Sequence, residues 1–263
     1  MCHDPIIPAC CNLLLGYCSS PGTALNATMH FIKAVVHTRP VACVNGKIKN
    51  GGRKMSNKYD SIFKKSLIPQ IRTALITAYG PEKGEQLYAQ AGQKFLALSS
   101  NIDSQGNRAI ELHITRNILP LVCCYLVLQQ NGIAKEEACT LVAGQMHHEI
   151  RKNADRLKSV AHFPFLYPIF RVLCRRVMKN TYPDIGWDVA WLKDDNETVC
   201  FDCRACVYLA TTTKFDCPEL CQYFCQNDTI VYSALSPAVK FVRTQTLAAG
   251  GDRCDFCFLN GKK

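Results

Sequence analysis

From Tyr59 to Tyr79 apolar residues recur at helical spacing. Ile62, Phe63, Leu67, Ile71, Leu75 and Ile76 fall on one side of the run. Pro69 lies inside it and predicts a kink or break there. Gly80-Pro81 ends the run, and Pro81 suits the first turn of a second helix that the pattern carries to about Leu98. The polar stretch SSNIDSQGN reads as a loop. RAIELHITRNILPLVCCYLVLQQNG reads as a third helix, with Pro120 inside and Asn131-Gly132 as its stop. Its apolar part, Ile118–Leu128, is shorter than the ~20 residues a bilayer requires, so a buried helix and no membrane span are expected. AKEEACTLVAGQMHHEIRKNADRLKSV is helical too, with acids early and bases late as the helix dipole prefers. FPFLYPIFRVLCRRVMKN is expected to be a helix packed on a sheet.

The texture changes at Tyr182-Pro183. Two strands are predicted over 186–192 and 197–204, joined at Asp194-Asp195-Asn196. CPELCQYFCQNDTIVYSAL reads as a helix and AVKFVRTQTL as a strand. After a turn at Gly250-Gly251-Asp252, RCDFCFL is the last strand. The predicted class is therefore α+β: an N-terminal helical half, 55–181, packed on a small, mainly antiparallel sheet with helices, 182–263. Residues 55–263 are expected to form one compact domain.

Residues 1–54 show no sustained period. They hold six of the 31 Lys/Arg against the single acid Asp4, a large share of the net charge of +10. A regular pattern starts right after Met55, so 1–54 is expected to be a translated leader or a disordered extension, with Met55 as the native start. The remaining chain lacks interleaved basic and aromatic residues, and no nucleic-acid partner is expected. The modest basic surplus suits a small anionic molecule. A homo-oligomer is compatible with the sequence.

Seventeen cysteines are many for a chain that is 48% hydrophobic and rich in helical patterns. The odd count, the long helices and the lack of a signal peptide favour free thiols in a reducing cytoplasm. Cys200, Cys203 and Cys206, with Cys254 and Cys257, have spacings that could close on zinc or an iron–sulfur cluster. Against this, residues three apart on a strand point to opposite faces, and neither segment has a Gly or Pro turn; no cofactor is expected. Cys217, Cys221 and Cys225 stack on one helical face. Asp228 falls on the same face as Cys225, which is unusual for simple packing. His147-His148-Glu149 lacks the spacing of a zinc motif and reads as surface or contact residues. Arg243, in a partly buried strand, needs a carboxylate partner.

The ordered series carries more than any one motif. It runs from Cys206 and Tyr208 through Pro218-Glu219-Leu220 to Cys225 and Asp228. It continues with Arg243-Thr244-x-Thr246-Leu247, a Gly-Gly-Asp turn and Cys254-Asp255-Phe256. Over about residues 185–260 it resembles the L-2-amino-thiazoline-4-carboxylic acid hydrolase family of bacterial proteins. It is also similar to 4-vinyl reductase-type ligand-binding domains, which would make the chain a small-molecule or metal sensor instead. The first resemblance implies a hydrolase that opens a cyclic amidine to N-carbamoyl-cysteine or a related product. It then implies that Arg243 binds the substrate carboxylate with Thr244 assisting, and that Tyr208 also contacts the substrate. Asp228 or Asp255 would orient the amidine nitrogen and move the proton. Cys206, Cys225 or Cys254 would be the nucleophile or line the pocket.

Overall fold

The computed structural model of the protein describes residues 62–63 and 68–262. The expected leader 1–54, the Met55 start and Leu67 of the first apolar run lie outside them. Helix α1 spans Ile68–Tyr79, so Pro69 falls in its first turn, where an absent N–H breaks no internal bond. Gly80 turns the chain at φ 82°, and Pro81 opens α2, Pro81–Ser99. A Cβ on Gly84 would lie 2.6 Å from the Ile76 backbone, so only glycine lets α1 and α2 approach this closely.

Asn107 caps α3 (Arg108–Leu112), its side chain accepting from the Ala109 and Ile110 amides. The helix then runs through a π-turn, His113–Ile118, into α4, Leu119–Gln130. The π-turn widens the ladder just where Pro120 cannot donate, which lets the helix pass a proline without ending. The continuous run Arg108–Gln130 is 23 residues, longer than its most apolar part suggested, and long and apolar enough to cross a membrane. Yet 72% of its most apolar window is buried inside the protein. It is the core helix, with Leu119, Val122, Cys123 and Tyr125 fully enclosed.

Helix α5 (Lys135–Lys158) packs beside α4. Its buried His147 donates from Nε2 to the Tyr223 carbonyl at 2.9 Å, while His148 is exposed. Helix α6 (Leu166–Thr181) turns Tyr167, Phe170, Leu173 and Val177 inward. Phe170 meets Phe258 of the sheet at 4.7 Å between ring centres, and Arg171 and Arg175 both pair with Asp194. The helix-on-sheet expectation for this segment holds.

The first strand starts later than predicted. Asp184–Trp187 forms a helical turn, α7, and Asp188, at φ 45°, swings the chain into β1, Val189–Asp194. Then follow β2 (Thr198–Cys203), α8 (Val207–Lys214), a 3-10 turn (Pro218–Leu220), α9 (Cys221–Ser233), β3 (Val239–Val242) and β4 (Cys254–Asn260). Sequence patterning gave no element to α8, and Arg243 lies one residue past β3. The sheet order is β1-β2-β4-β3, antiparallel throughout. The α+β class is as predicted, and one hydrophobic cluster links residues from Phe63 to Phe258 across both halves.

Register decides which side chains meet. On the helix side, Phe201 and Cys203 of β2 lie opposite Phe256 and Cys254 of β4. Alternation sends Cys200, Asp202, Asp255 and Cys257 to the other side. Cys200 and Cys257 are register partners, their Cα atoms 4.2 Å apart, and they form a disulfide. This departs from the expectation of free thiols throughout: 57 residues separate the two in sequence, and only the pairing of β2 with β4 brings them together. Ten other cysteines among the described residues are free.

Candidate functional site

A cavity of about 320 Å³ lies between the π-turn, the C-terminal end of α6, helices α8 and α9, and the helix side of the sheet. That is the lower end of the volume range for small-molecule sites. Of the residues singled out from sequence, Cys206, Tyr208, Cys225, Asp228, Arg243 and Cys254 all line it. Thr244 and Asp255 do not. Cys254 and Asp255 are neighbours on a strand and cannot both face one hollow. Asp255 instead accepts from the Thr244 amide and hydroxyl and from the Gln245 amide, at 2.6 to 3.1 Å. Burial raises its pKa, but these bonds outweigh burial and hold it below the usual carboxylate range. Asp255 fastens the loop that delivers Arg243.

Cys206 immediately precedes α8. Its sulfur makes no cap hydrogen bond of ordinary geometry, yet it is held below the usual thiol pKa. The largest cause is a hydrogen bond from Cys221; burial opposes it, and the Leu209 and Tyr208 amides at the head of α8 add to it. Cys221, fully buried between Cys206 and Cys225, is pushed the other way by those same contacts and by burial. In this coupled pair the anion belongs on Cys206, which faces a helix N-terminus and the cavity. Burial drives Cys254 up to about 12, against the Leu247 amide at 3.3 Å and the Arg243 charge, and drives Cys203 up as well. Those two are thiols that pack.

Arg243 reaches Asp228 from Nη1 at 3.0 Å and the Cys225 carbonyl from Nη2 at 2.7 Å. Its guanidinium lies 5.5 Å from the centre of the Phe241 ring and 5.3 Å from that of Phe256. Such contacts hold a desolvated cation in place. Burial raises the Asp228 pKa to about 6, despite the opposing pull of Arg243. The pair is an ion pair whose acid member sits one step from neutrality, and its remaining exposure is to the cavity.

The opposite wall holds residues that sequence reasoning passed over. His113 Nε2 donates to the Thr181 carbonyl at 3.0 Å, which fixes the tautomer, because a carbonyl only accepts. Nδ1 therefore accepts from the Tyr208 hydroxyl at 2.9 Å, and Asn117 donates to the same hydroxyl at 3.1 Å. Burial lowers the His113 pKa to about 4, and the ring is neutral. Arg116 completes this wall, exposed at the rim. A signal was present: Ala109, Leu112, His113, Arg116 and Asn117 recur at i, i+3, i+4, i+7 and i+8, and three of them, His113, Arg116 and Asn117, set polar groups on this stripe of an apolar helix. Glu219 of the Pro218-Glu219-Leu220 motif lies elsewhere, bonded to Tyr125 and to Lys135 at 3.0 Å.

The five thiols considered for a metal are divided by the sheet, with Cys200 and Cys257 joined on the far side. Among the described residues no group of three or more His, Cys, Asp or Glu is gathered to hold an ion. What gathers instead is a thiol at a helix head, a carboxylate near neutrality and two arginines. A family model described as L-2-amino-thiazoline-4-carboxylic acid hydrolase matches residues 111–258, which take in nearly all of the cavity wall. No curated protein and no solved structure gives a significant match. With more than half of its residues matched, the chain belongs to the L-2-amino-thiazoline-4-carboxylic acid hydrolase family.

Proposed function

We propose that the cavity hydrolyses a small cyclic amidine of the thiazoline type, with Cys206 as nucleophile. The observation that carries this reading is geometric: Cys206, at the head of α8, opens on the same hollow as the Asp228–Arg243 pair. A planar amidine carbon becomes electrophilic when its nitrogen is protonated, and a carboxylate stabilises that cation. The Cys206 thiolate adds to the carbon between nitrogen and sulfur. The ring carbon–sulfur bond then breaks, the ring sulfur takes a proton, and an enzyme-bound isothiourea remains. Water adds to the same carbon and expels Cys206, leaving a urea. One water is consumed overall and one thiol is released.

Asp228 accepts the proton from the attacking water. Arg243 keeps Asp228 aimed and partly ionised, because its guanidinium is already committed to Asp228 and the Cys225 carbonyl. Cys225 and Cys254 shape the wall beside it.

Asp228 is protonated below pH 6 and ionised above it, since burial has moved its pKa up to about 6. A proton acceptor must be ionised, so turnover rises with pH through an apparent pKa near 6. Asp228→Asn removes this limb and lowers the plateau about a hundredfold or more. The assay is incubation with 2-amino-thiazoline-4-carboxylate, following a product heavier by one water with a new free thiol. A protein that leaves the ring intact, while binding it, contradicts the proposal.

A further inference from the structure

We propose that Arg116 is the carboxylate anchor of this cavity and makes it selective for rings that carry a carboxylate. The inference rests on the reading of the reaction given above and adds the residue that selects the substrate.

Besides Cys206, the nucleophile, three ionic side chains line the hollow: Arg116, Asp228 and Arg243. Asp228 and Arg243 neutralise each other at 3.0 Å. The Arg243 fork is also spent on the Cys225 carbonyl and lies close to two phenyl rings. To receive a substrate carboxylate it would have to leave Asp228 without its partner in a desolvated site, which is costly. Arg243 is therefore poorly placed for the role the sequence suggested. Arg116 has the opposite character. Among the described residues no acid pairs with it, and it stands at the rim, where a guanidinium stays hydrated until a ligand arrives. His113, on the same turn, is bonded to the Thr181 carbonyl and carries no charge. Apart from the Cys206 thiol, which is the nucleophile, the lining thus has one unneutralised charge, and it is positive.

The geometry gives that charge a direction. Arg116 belongs to the π-turn wall, whereas Asp228 and Arg243 come from α9 and the loop beyond β3. Tyr208, hydrogen-bonded to His113 of the π-turn, stands two residues from Cys206. A small ring with its carboxylate held by the Arg116 fork extends inward past Tyr208, toward the thiol. The ligand class is a compact ring with an amidine at one end and a carboxylate at the other.

The test uses two substrates and one variant. Wild-type protein and Arg116→Gln are compared on 2-amino-thiazoline-4-carboxylate and on 2-amino-thiazoline, which has the same ring without the carboxylate. The expected result for Arg116→Gln is a rise in KM of about tenfold or more on the acid, with kcat within threefold, and no loss on the ring that lacks the carboxylate. No loss on the acid, or an equal loss on both rings, overturns the assignment. Calorimetric binding of the two compounds separates this inference from the reaction itself. If neither ring is turned over, the reaction reading fails alone. Preferential binding of the acid that Arg116→Gln abolishes still supports the anchor, and absent or equal binding refutes it.

Discussion

Cys206→Ala folds normally and loses ring opening by about a thousandfold or more, the scale expected when a covalent nucleophile is removed. The side chain sits between a helix head and a cavity, so its loss disturbs little packing. Cys254→Ala behaves differently. That thiol is buried, with a pKa driven up to about 12, and accepts from the Leu247 amide. It stays neutral near pH 7, and its replacement acts through packing, lowering stability while activity per folded molecule falls less than tenfold. Cys221→Ala separates the two effects further. It removes the donor that most favours the Cys206 anion, so the rate at pH 7 falls and partly recovers at higher pH. The measurements are turnover by product mass and folded fraction by circular dichroism, made on the same samples. Full turnover by Cys206→Ala would end the covalent account.

Phe258→Ala lowers stability by about 3–5 kcal/mol, the range for deleting a buried phenyl group. Phe258 is 1% exposed at the centre of the sheet's helix side. Its ring lies 4.7 Å from Phe170, 4.8 Å from Tyr232 and 5.1 Å from Phe241. It therefore joins α6, α9 and β3 at one point, directly behind the cavity floor. Against the roughly 5–15 kcal/mol of a typical domain, such a loss leaves the protein marginal. Leu259→Ala, one residue on and half-buried on the other side of the sheet, costs about 1 kcal/mol. Urea unfolding of both variants checks the contrast. Equal costs would mean that the strand faces have been assigned the wrong way round.

The helical half was legible because its faces repeat. Helices α2, α5 and α6 each carry enough apolar residues at regular spacing to be read without any knowledge of partners. Helix α8 was not, since VYLATTTK is rich in β-branched and aromatic residues and has no stripe. That omission hid the reason Cys206 is special, because a thiol at a helix head differs from a thiol in a loop. The gathering of Cys206, Cys225, Asp228, Arg243 and Cys254 was legible from the ordered motif. Their division of labour was not, because it depends on contacts across 15 residues or more, such as Arg243 with Asp228. Asp255 could have been set aside from alternation alone, as the neighbour of an inward Cys254. His113 and Arg116 went unnoticed, although their stripe was there to read, because an apolar helix interrupted by polar residues looks like a poor core helix before its cavity is known.

The central claim is that Cys206 is the acidified thiol of this cavity. Timed alkylation with iodoacetamide across a pH series, with each cysteine-bearing peptide followed by mass spectrometry, tests it most directly. The account predicts that Cys206 is labelled first among the cavity thiols, with a rate reaching half its maximum below the free-thiol pKa of about 8.5. Labelling of Cys206 that rises only above that pH, or that trails Cys203 and Cys254, would contradict it.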